Sequence, residues 1–312
     1  MADGTGTLGV VVMAYGTPAS PDDIEAYYTH IRRGRPPEPQ QLAELTARYD
    51  AIGGTSPLAA RTEAQRVALA DALQSRRPGA TRVVLGQKHA APFIEDAVAG
   101  LAAAGIDRVV GLVLAPHFSR FSVGEYQGRL AAAAEEHGMA SAGVEAWHLE
   151  PSYLGFLAGA VEEALRSLPE RTKVLFTAHS LPERVLVDDP YPEQLRQSAA
   201  AVAGMVGLDR WAGWSLCWQS AGRTPEPWRG PDVLEVIRDL AATGRAEGVL
   251  VCPQGFVSDH LEVVYDLDIE AKAVADEVGL ALARTRVLND DAATFSALAD
   301  RVLALDPADP ER

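Results

Sequence analysis

A chain of 312 residues with 47% apolar side chains can build a full core, and its length suits two domains or one large α/β unit. A formal net charge of −15 excludes non-specific nucleic-acid binding and an anionic membrane surface as partners, though a local arginine cluster can still hold an anionic ligand. Two cysteines, Cys217 and Cys252, are too few for a disulfide framework or an all-cysteine cluster and read as buried thiols on strands. No basic segment leads into an apolar one at the start, and no stretch is long and apolar enough to span a bilayer, so a soluble cytoplasmic protein is expected.

Residues 8–15, LGVVVMAY, are a continuous apolar run closed by Gly16, the pattern of a strand buried on both faces. A helix starts at Ser20-Pro21, and a basic, proline-broken stretch (residues 30–37) separates it from a second helix running to about Tyr49. The following units alternate: helix 58–74, strand 83–88, helix 92–104, strand 108–115, helix 122–136 and strand 143–149. Pro151 marks a candidate boundary, after which come helix 153–168, strand 173–178, helix 193–206, strand 211–218, helix 231–243 and strand 248–252. An acidic helix (258–279), a short strand near 284–288, a last helix (293–304) and a mobile tail complete the reading. Alternation with continuous apolar strands predicts an α/β fold of two doubly wound, Rossmann-like domains, each a parallel sheet flanked by helices. The expected domains are 1–150 and 151–285, with 286–312 packing back on the first. Such sheets bind ligands at the carboxyl ends of their strands, where Tyr15, His89, His117, His179 and Gln219 fall, and a cleft between the halves is expected.

The acidic helix has the least ordinary pattern. At about 100° per residue, Asp259, Glu262, Asp266 and Glu270 share one face, while Val264, Leu267, Ala271 and Val274 form a packing face opposite. No lysine or arginine at helical spacing neutralises the acids, so the stripe is either a solvated face on an acidic protein or a site for cations or protons. Among seven histidines, His137 reads as a helix end, His148 as core or edge, and His260 as a neighbour of the helix acids. His89, His117 and His179 each follow an apolar strand, and each is either a loop anchor or a functional group. His179 lies in the half that carries the acidic helix, and one imidazole with one carboxylate suits a divalent first-row metal with open positions. Arg32, Arg33, Arg35, Arg48 and Tyr49 either bind carboxylates or sit in an exposed basic loop. Phe118, Phe121, Tyr126 and Trp228 either wall a flat apolar ligand or pack in the core.

The stretches MAYGTP (13–18), YYTHIRRGRPP (27–37), RYDAIGGTSPLA (48–59), KHAAPFIEDAV (88–98), LVLAPHFSRFSVGEY (112–126), AHSLPERV (178–185), WQSAGRTPEPWRGPDV (218–233) and GFVSDHLEVVYDLDIEAK (255–272) together resemble the ferrochelatase family, in its short, soluble bacterial form that works on coproporphyrin III. The resemblance covers nearly the whole chain. It implies insertion of Fe2+ into a porphyrin, most closely coproporphyrin III, in haem biosynthesis, by a lyase with two doubly wound domains around a porphyrin cleft.

By matching motifs, the resemblance makes His179 and Glu262 the catalytic, iron-holding pair and adds Asp266 and Glu270 as acids continuing the metal stripe on a locally widened helix. It also implies that Tyr15, Arg32, Arg48, Tyr49, Ser56 and Tyr126 bind the tetrapyrrole. Some relatives carry a 2Fe–2S cluster, for which this chain lacks the cysteines, so no cofactor beyond substrate iron is expected. The expected partners are porphyrin and ferrous iron, with haem-pathway enzymes besides; nucleic acid and membrane insertion are not expected, and the chain is read as a monomer. The alternatives are a protoporphyrin IX ferrochelatase, a sirohydrochlorin chelatase, or a tetrapyrrole or metal carrier without turnover.

Overall fold

The computed structural model describes residues 6–208, 213–222 and 224–307. They divide into two compact units. The first holds the residues up to Leu114, Arg120–Trp147 and those from Asn289 on, and the second holds Ala115–Ser119 and His148–Leu288.

The first unit is built on strands β1 (Leu8–Ala14), β2 (Thr81–Gln87), β3 (Arg108–Val113) and β4 (Ala140–Val144), all parallel, in the order β2-β1-β3-β4. Every residue of β1 and β3 is buried, as unbroken apolar runs in the middle of a covered sheet should be. Helices α1 (Ile24–Ile31), α2 (Pro39–Ala51), α3 (Leu58–Arg76), α4 (Ile94–Ala103) and α5 (Val123–Glu136) connect and cover these strands. The second unit repeats the arrangement with β5 (Thr172–His179), β6 (Trp214–Gln219), β7 (Gly248–Cys252) and β8 (Ala281–Arg284), parallel, in the order β6-β5-β7-β8. Its helices are α6 (Pro151–Leu165), α7 (Tyr191–Val206), α8 (Val233–Ala242) and a compound helix after β7. The fold is therefore the expected pair of doubly wound sheets.

Local chemistry sets the element ends. Proline occupies the first turn of α2, α6 and α7, where no backbone donor is missed. Asp232 caps α8 by accepting from the Leu234 amide at 2.8 Å, and Glu235 reaches back to the Asp232 amide at 3.3 Å. Gly207 ends α7 at φ 77°, in the left-handed region. The core of the second unit gathers Leu175, Cys217, Ile237, Val249, Val251, Leu267 and Ala271, with both cysteines as free, buried thiols. Each fully buried aliphatic side chain there contributes about 1.5–3 kcal/mol.

The last helix, α11 (Ala292–Ala304), packs on α3 within the first unit. Arg76 pairs with Asp300, and the buried carboxylate of Asp306 accepts from Arg108 at 2.7 Å and from Arg77 at 2.8 Å. The Ala115–Ser119 excursion is tied to the second unit by its polar atoms. His117 shares a 2.8 Å hydrogen bond with Ser198, the Phe118 amide donates to Gln194, and Ser119 donates to Asp189 at 3.2 Å.

Two strands lie earlier than expected. The strand read at 143–149 is β4 at Ala140–Val144, and the one read at 284–288 is β8 at Ala281–Arg284. Both are sheet edges, where a strand needs little apolar character. The apolar residues that drew the reading onward, Trp147, Val287 and Leu288, are buried in irregular segments. Trp147 is fixed there by its indole donating to the Val113 carbonyl at 3.2 Å. The opening of the strand expected from Trp211, and the tail beyond residue 307, lie outside the described residues.

Candidate metal site

The carboxyl end of β5 delivers His179, and the compound helix after β7 delivers Glu262. That helix starts at Leu261 rather than at Ser258 or Asp259, because His260 is still extended (φ −157°, ψ 179°). It runs through a single α turn (α9, Leu261–Val263), a π-helix (Val264–Ala271) and an α segment (α10, Lys272–Glu277). Gly279 follows at φ 75°. A π segment is rare and concentrates at functional sites.

His179 Nδ1–H donates to the Ser180 carbonyl, which fixes the ring and turns Nε2 toward Glu262 Oε1 at 3.6 Å. His260 repeats the device: Nδ1–H donates to the Ser258 carbonyl at 3.0 Å, and Nε2 stands 3.6 Å from Glu262 Oε2. One carboxylate is thus bracketed by two imidazoles, each presenting the same nitrogen. His179 and Glu262 keep about a third of their side-chain surface open, at 34% and 33%. Burial opposes the charged form of His179, but Glu262, the Ser180 carbonyl and Asp266 outweigh it and raise the imidazole to about 9. Burial likewise opposes ionisation of Glu262, and the imidazoles of His179 and His260 overcome it, holding the carboxyl well below the usual carboxylate range.

Farther along the helix, Asp266 is 5% exposed and accepts from the Ser220 hydroxyl, while Glu270 is partly buried. Asp259 does not continue an unneutralised stripe. It pairs with Arg284 at 3.4 Å, and Arg284 also binds Asp268 at 2.8 Å. That arginine comes from β8, a neighbour in space that helical spacing does not reveal. Among the described residues, no three His, Cys, Asp or Glu side chains gather as a ready-made metal cage.

A family model described as Ferrochelatase matches residues 7–305. The chain belongs to the ferrochelatase family. It is 46% identical over 303 residues to the coproporphyrin III ferrochelatase of Anoxybacillus flavithermus, covering 95% of each chain. Its identity to the coproporphyrin III ferrochelatase of Bacillus subtilis is 45%, over 95% of this chain and 97% of that one. Among solved structures, SirB from Bacillus subtilis with Fe3+ matches with a TM-score of 0.57 at 9% identity, covering 95% and 94% of the two chains. CbiX, described as the terminal enzyme for biosynthesis of siroheme in denitrifying bacteria, matches with a TM-score of 0.54 at 15% identity, covering 95% and 98%. At such identities these two share the fold.

In this ferrochelatase-family chain the positions matched to tetrapyrrole binding all lie in the first unit. Tyr15, 43% exposed, follows β1 and its ring lies 4.6 Å from that of His89. The Arg32 guanidinium stands 5.6 Å from the Tyr28 ring and donates to the Arg35 carbonyl at 3.2 Å. Arg48 is partly buried in the last turn of α2. Tyr49, Ser56 and Tyr126 are buried. The Tyr49 hydroxyl is 3.4 Å from that of Thr17, Ser56 Oγ accepts from the Leu58 amide at 3.2 Å, and Lys88 Nζ sits 5.3 Å from the Tyr126 ring centre.

Of the aromatic candidates, Phe121 is exposed, whereas Trp228 lies 6.5 Å from His179, ring to ring, with its indole donating to Thr224 at 2.9 Å. Gly222 makes room for that indole: a Cβ there would stand 2.3 Å from a Trp228 ring carbon. His117 is buried, and its imidazole is held well below the usual histidine range first by burial and then by His148. The sequence reads His260 as a neighbour of the helix acids, and the structure sets it against Glu262. Its signal is the HLE spelling, which sets an imidazole two residues before the acid.

Proposed function

We propose that the protein is a cytoplasmic lyase that inserts Fe2+ into coproporphyrin III, giving the iron complex of that porphyrin in haem biosynthesis. The observation that carries the reading is the approach of His179 Nε2 to Glu262 Oε1, at 3.6 Å, at a strand end of a ferrochelatase-family chain. Relatives about 45% identical over 95% of the chain, named coproporphyrin III ferrochelatases, support the substrate.

Insertion requires that iron lose water, that the ring expose its nitrogen lone pairs, and that two N–H protons leave. His179 and Glu262 are the donors that take up Fe2+: a neutral imidazole with its Nδ1–H tied back, and a carboxylate, both partly open to solvent. Iron arriving there displaces the proton that the pair otherwise holds, so each transfer of iron to the ring returns a vacant base for a pyrrole proton. Asp266 and Glu270 continue the acidic path along the π-helix for protons leaving or cations entering. Tyr15, Arg32, Arg48, Tyr49, Ser56 and Tyr126 of the first unit bind the tetrapyrrole, Arg32 and Arg48 by the match of guanidinium to carboxylate. Four propionates make coproporphyrin III water-soluble. Among the described residues no helix is long and apolar enough to cross a membrane, which suits such a substrate. We assign no cofactor or 2Fe–2S cluster, a monomeric state, and other haem-pathway enzymes as partners.

The test is anaerobic Fe2+ insertion followed by porphyrin absorbance, with coproporphyrin III and protoporphyrin IX compared at equal concentration. Coproporphyrin III should turn over faster, and His179→Ala should abolish insertion while leaving far-UV circular dichroism unchanged. Faster turnover of protoporphyrin IX overturns the substrate, and near-normal turnover in the variant overturns the metal site.

A further inference from the structure

His179 and Glu262 come from separate elements, and their 3.6 Å approach needs something that holds strand and helix in register. Two consecutive residues at the end of β6 meet that need. Gln219 is paired with His179 in the sheet and is 1% exposed. Its carbonyl accepts from the Ser180 amide at 2.8 Å, closing the end of β5 just past the histidine. Its side-chain Oε1 accepts from the Thr177 hydroxyl at 2.8 Å, and its Nε2 donates to the Glu262 carbonyl at 3.0 Å. A carbonyl only accepts, so the orientation of this amide is determined by its partners. The next residue, Ser220, is among the described residues one of four non-glycine residues at positive φ, here 59°. In that conformation its hydroxyl donates to Asp266, one helical turn beyond Glu262. A strained backbone persists where its surroundings over-determine it, commonly at sites of function.

We infer that Gln219 and Ser220 are positioning residues for the metal pair. Gln219 sets the helix backbone at Glu262 against the strand that carries His179, and Ser220 sets the carboxylate of Asp266 on the same helix. Neither touches the metal. Both act through the acids, as groups just behind metal ligands do, where substitution typically lowers metal affinity or activity roughly 10- to 100-fold. The inference rests on the metal-site reading above and deepens it.

Two variants isolate the effect. Ser220→Gly removes the hydroxyl and relieves the backbone, so the melting temperature should hold or rise. Gln219→Glu keeps the acceptor for Thr177 and removes the donor to Glu262. Binding of Co2+ alone, read from its visible ligand-field bands, should weaken about 10-fold or more in both. In turnover, KM for Fe2+ should rise while KM for the porphyrin stays put. His179→Ala serves as the reference. If it binds Co2+ as the unaltered protein does, the metal-site reading fails and this inference with it. If it loses Co2+ while Ser220→Gly and Gln219→Glu keep unaltered Co2+ affinity and KM for Fe2+, the positioning role alone is overturned. A loss of Co2+ binding in Ser220→Gly that tracks a lowered melting temperature also overturns it, in favour of a purely structural role.

Discussion

Replacing Glu262 with glutamine keeps the shape of the side chain and removes its charge, which makes it a direct probe of the bracketed carboxylate. The rise of His179 from 6.5 to about 9 corresponds to about 3.4 kcal/mol favouring the imidazolium. With about a third of both side chains in water, solvent screening reduces the usable part to about 1–2 kcal/mol. The interaction is one and the same seen from either partner, so it is counted once. In Glu262→Gln the burial that opposes charge on His179 is no longer outweighed, and the ring should titrate below about 7. The assay is an NMR titration of the histidine ring resonances, with His179→Ala used for assignment. Stability follows with a definite sign. A raised histidine stabilises fully below its unfolded value of 6.5, and that contribution fades as pH rises through about 9. Urea unfolding should therefore separate the variant from the parent by about 1–2 kcal/mol at pH 6, and the histidine's share of that gap should vanish near pH 10. A His179 resonance that titrates at the same pH in both proteins would refute the coupling.

Asp306→Ala strips the buried Arg108 of its nearer and buried carboxylate, leaving the exposed Asp107 at 3.5 Å, and should cost about 3–5 kcal/mol in urea unfolding, whereas a loss under 1 kcal/mol would mean that the ion pair contributes little. Gly222→Ala drives a methyl into the Trp228 indole, so tryptophan emission should shift and porphyrin insertion should slow, with unchanged emission counting against the contact. His89 is held down at about 3, by burial first and then by Lys88, His30 and Arg129. Its contribution to stability is complete above about pH 6.5 and is lost as the solution is acidified toward 3, so His89→Gln should flatten that part of the stability profile between pH 7 and 5. An equally steep decline in the variant would remove His89 from the account.

Much of the fold was legible because buried parallel strands advertise themselves. Residues 248–252 read as a strand by unbroken hydrophobicity, and β7 has those bounds. Edges were not: β4 is spelled ASAGV, with too little apolar surface to stand out, while the conspicuous Trp147 fills a core position outside any strand. At the site, periodicity alone grouped Glu262, Asp266 and Glu270 and wrongly added Asp259, whose partner Arg284 arrives from a different strand. Widening of the helix was implied by the family resemblance and not by composition, and the structure has it at Val264–Ala271. The meeting of His179 with Glu262 depends on β5 lying beside β7, a fact of topology that no local pattern encodes.

The two sheets share one wiring diagram, β2-β1-β3-β4 in one and β6-β5-β7-β8 in the other. In both, the chain's direction of travel across the sheet reverses at the first strand laid down, β1 or β5. The residue just past β1 is Tyr15 and the last residue of β5 is His179. Tyrosine and histidine thus stand at the carboxyl end of the corresponding strand in two editions of a single layout. They are one residue apart in register, since Ala14 pairs with Gln87 as His179 pairs with Gln219. The fold provides that strand end twice, and the chain has furnished one copy with a phenol and the other with a base.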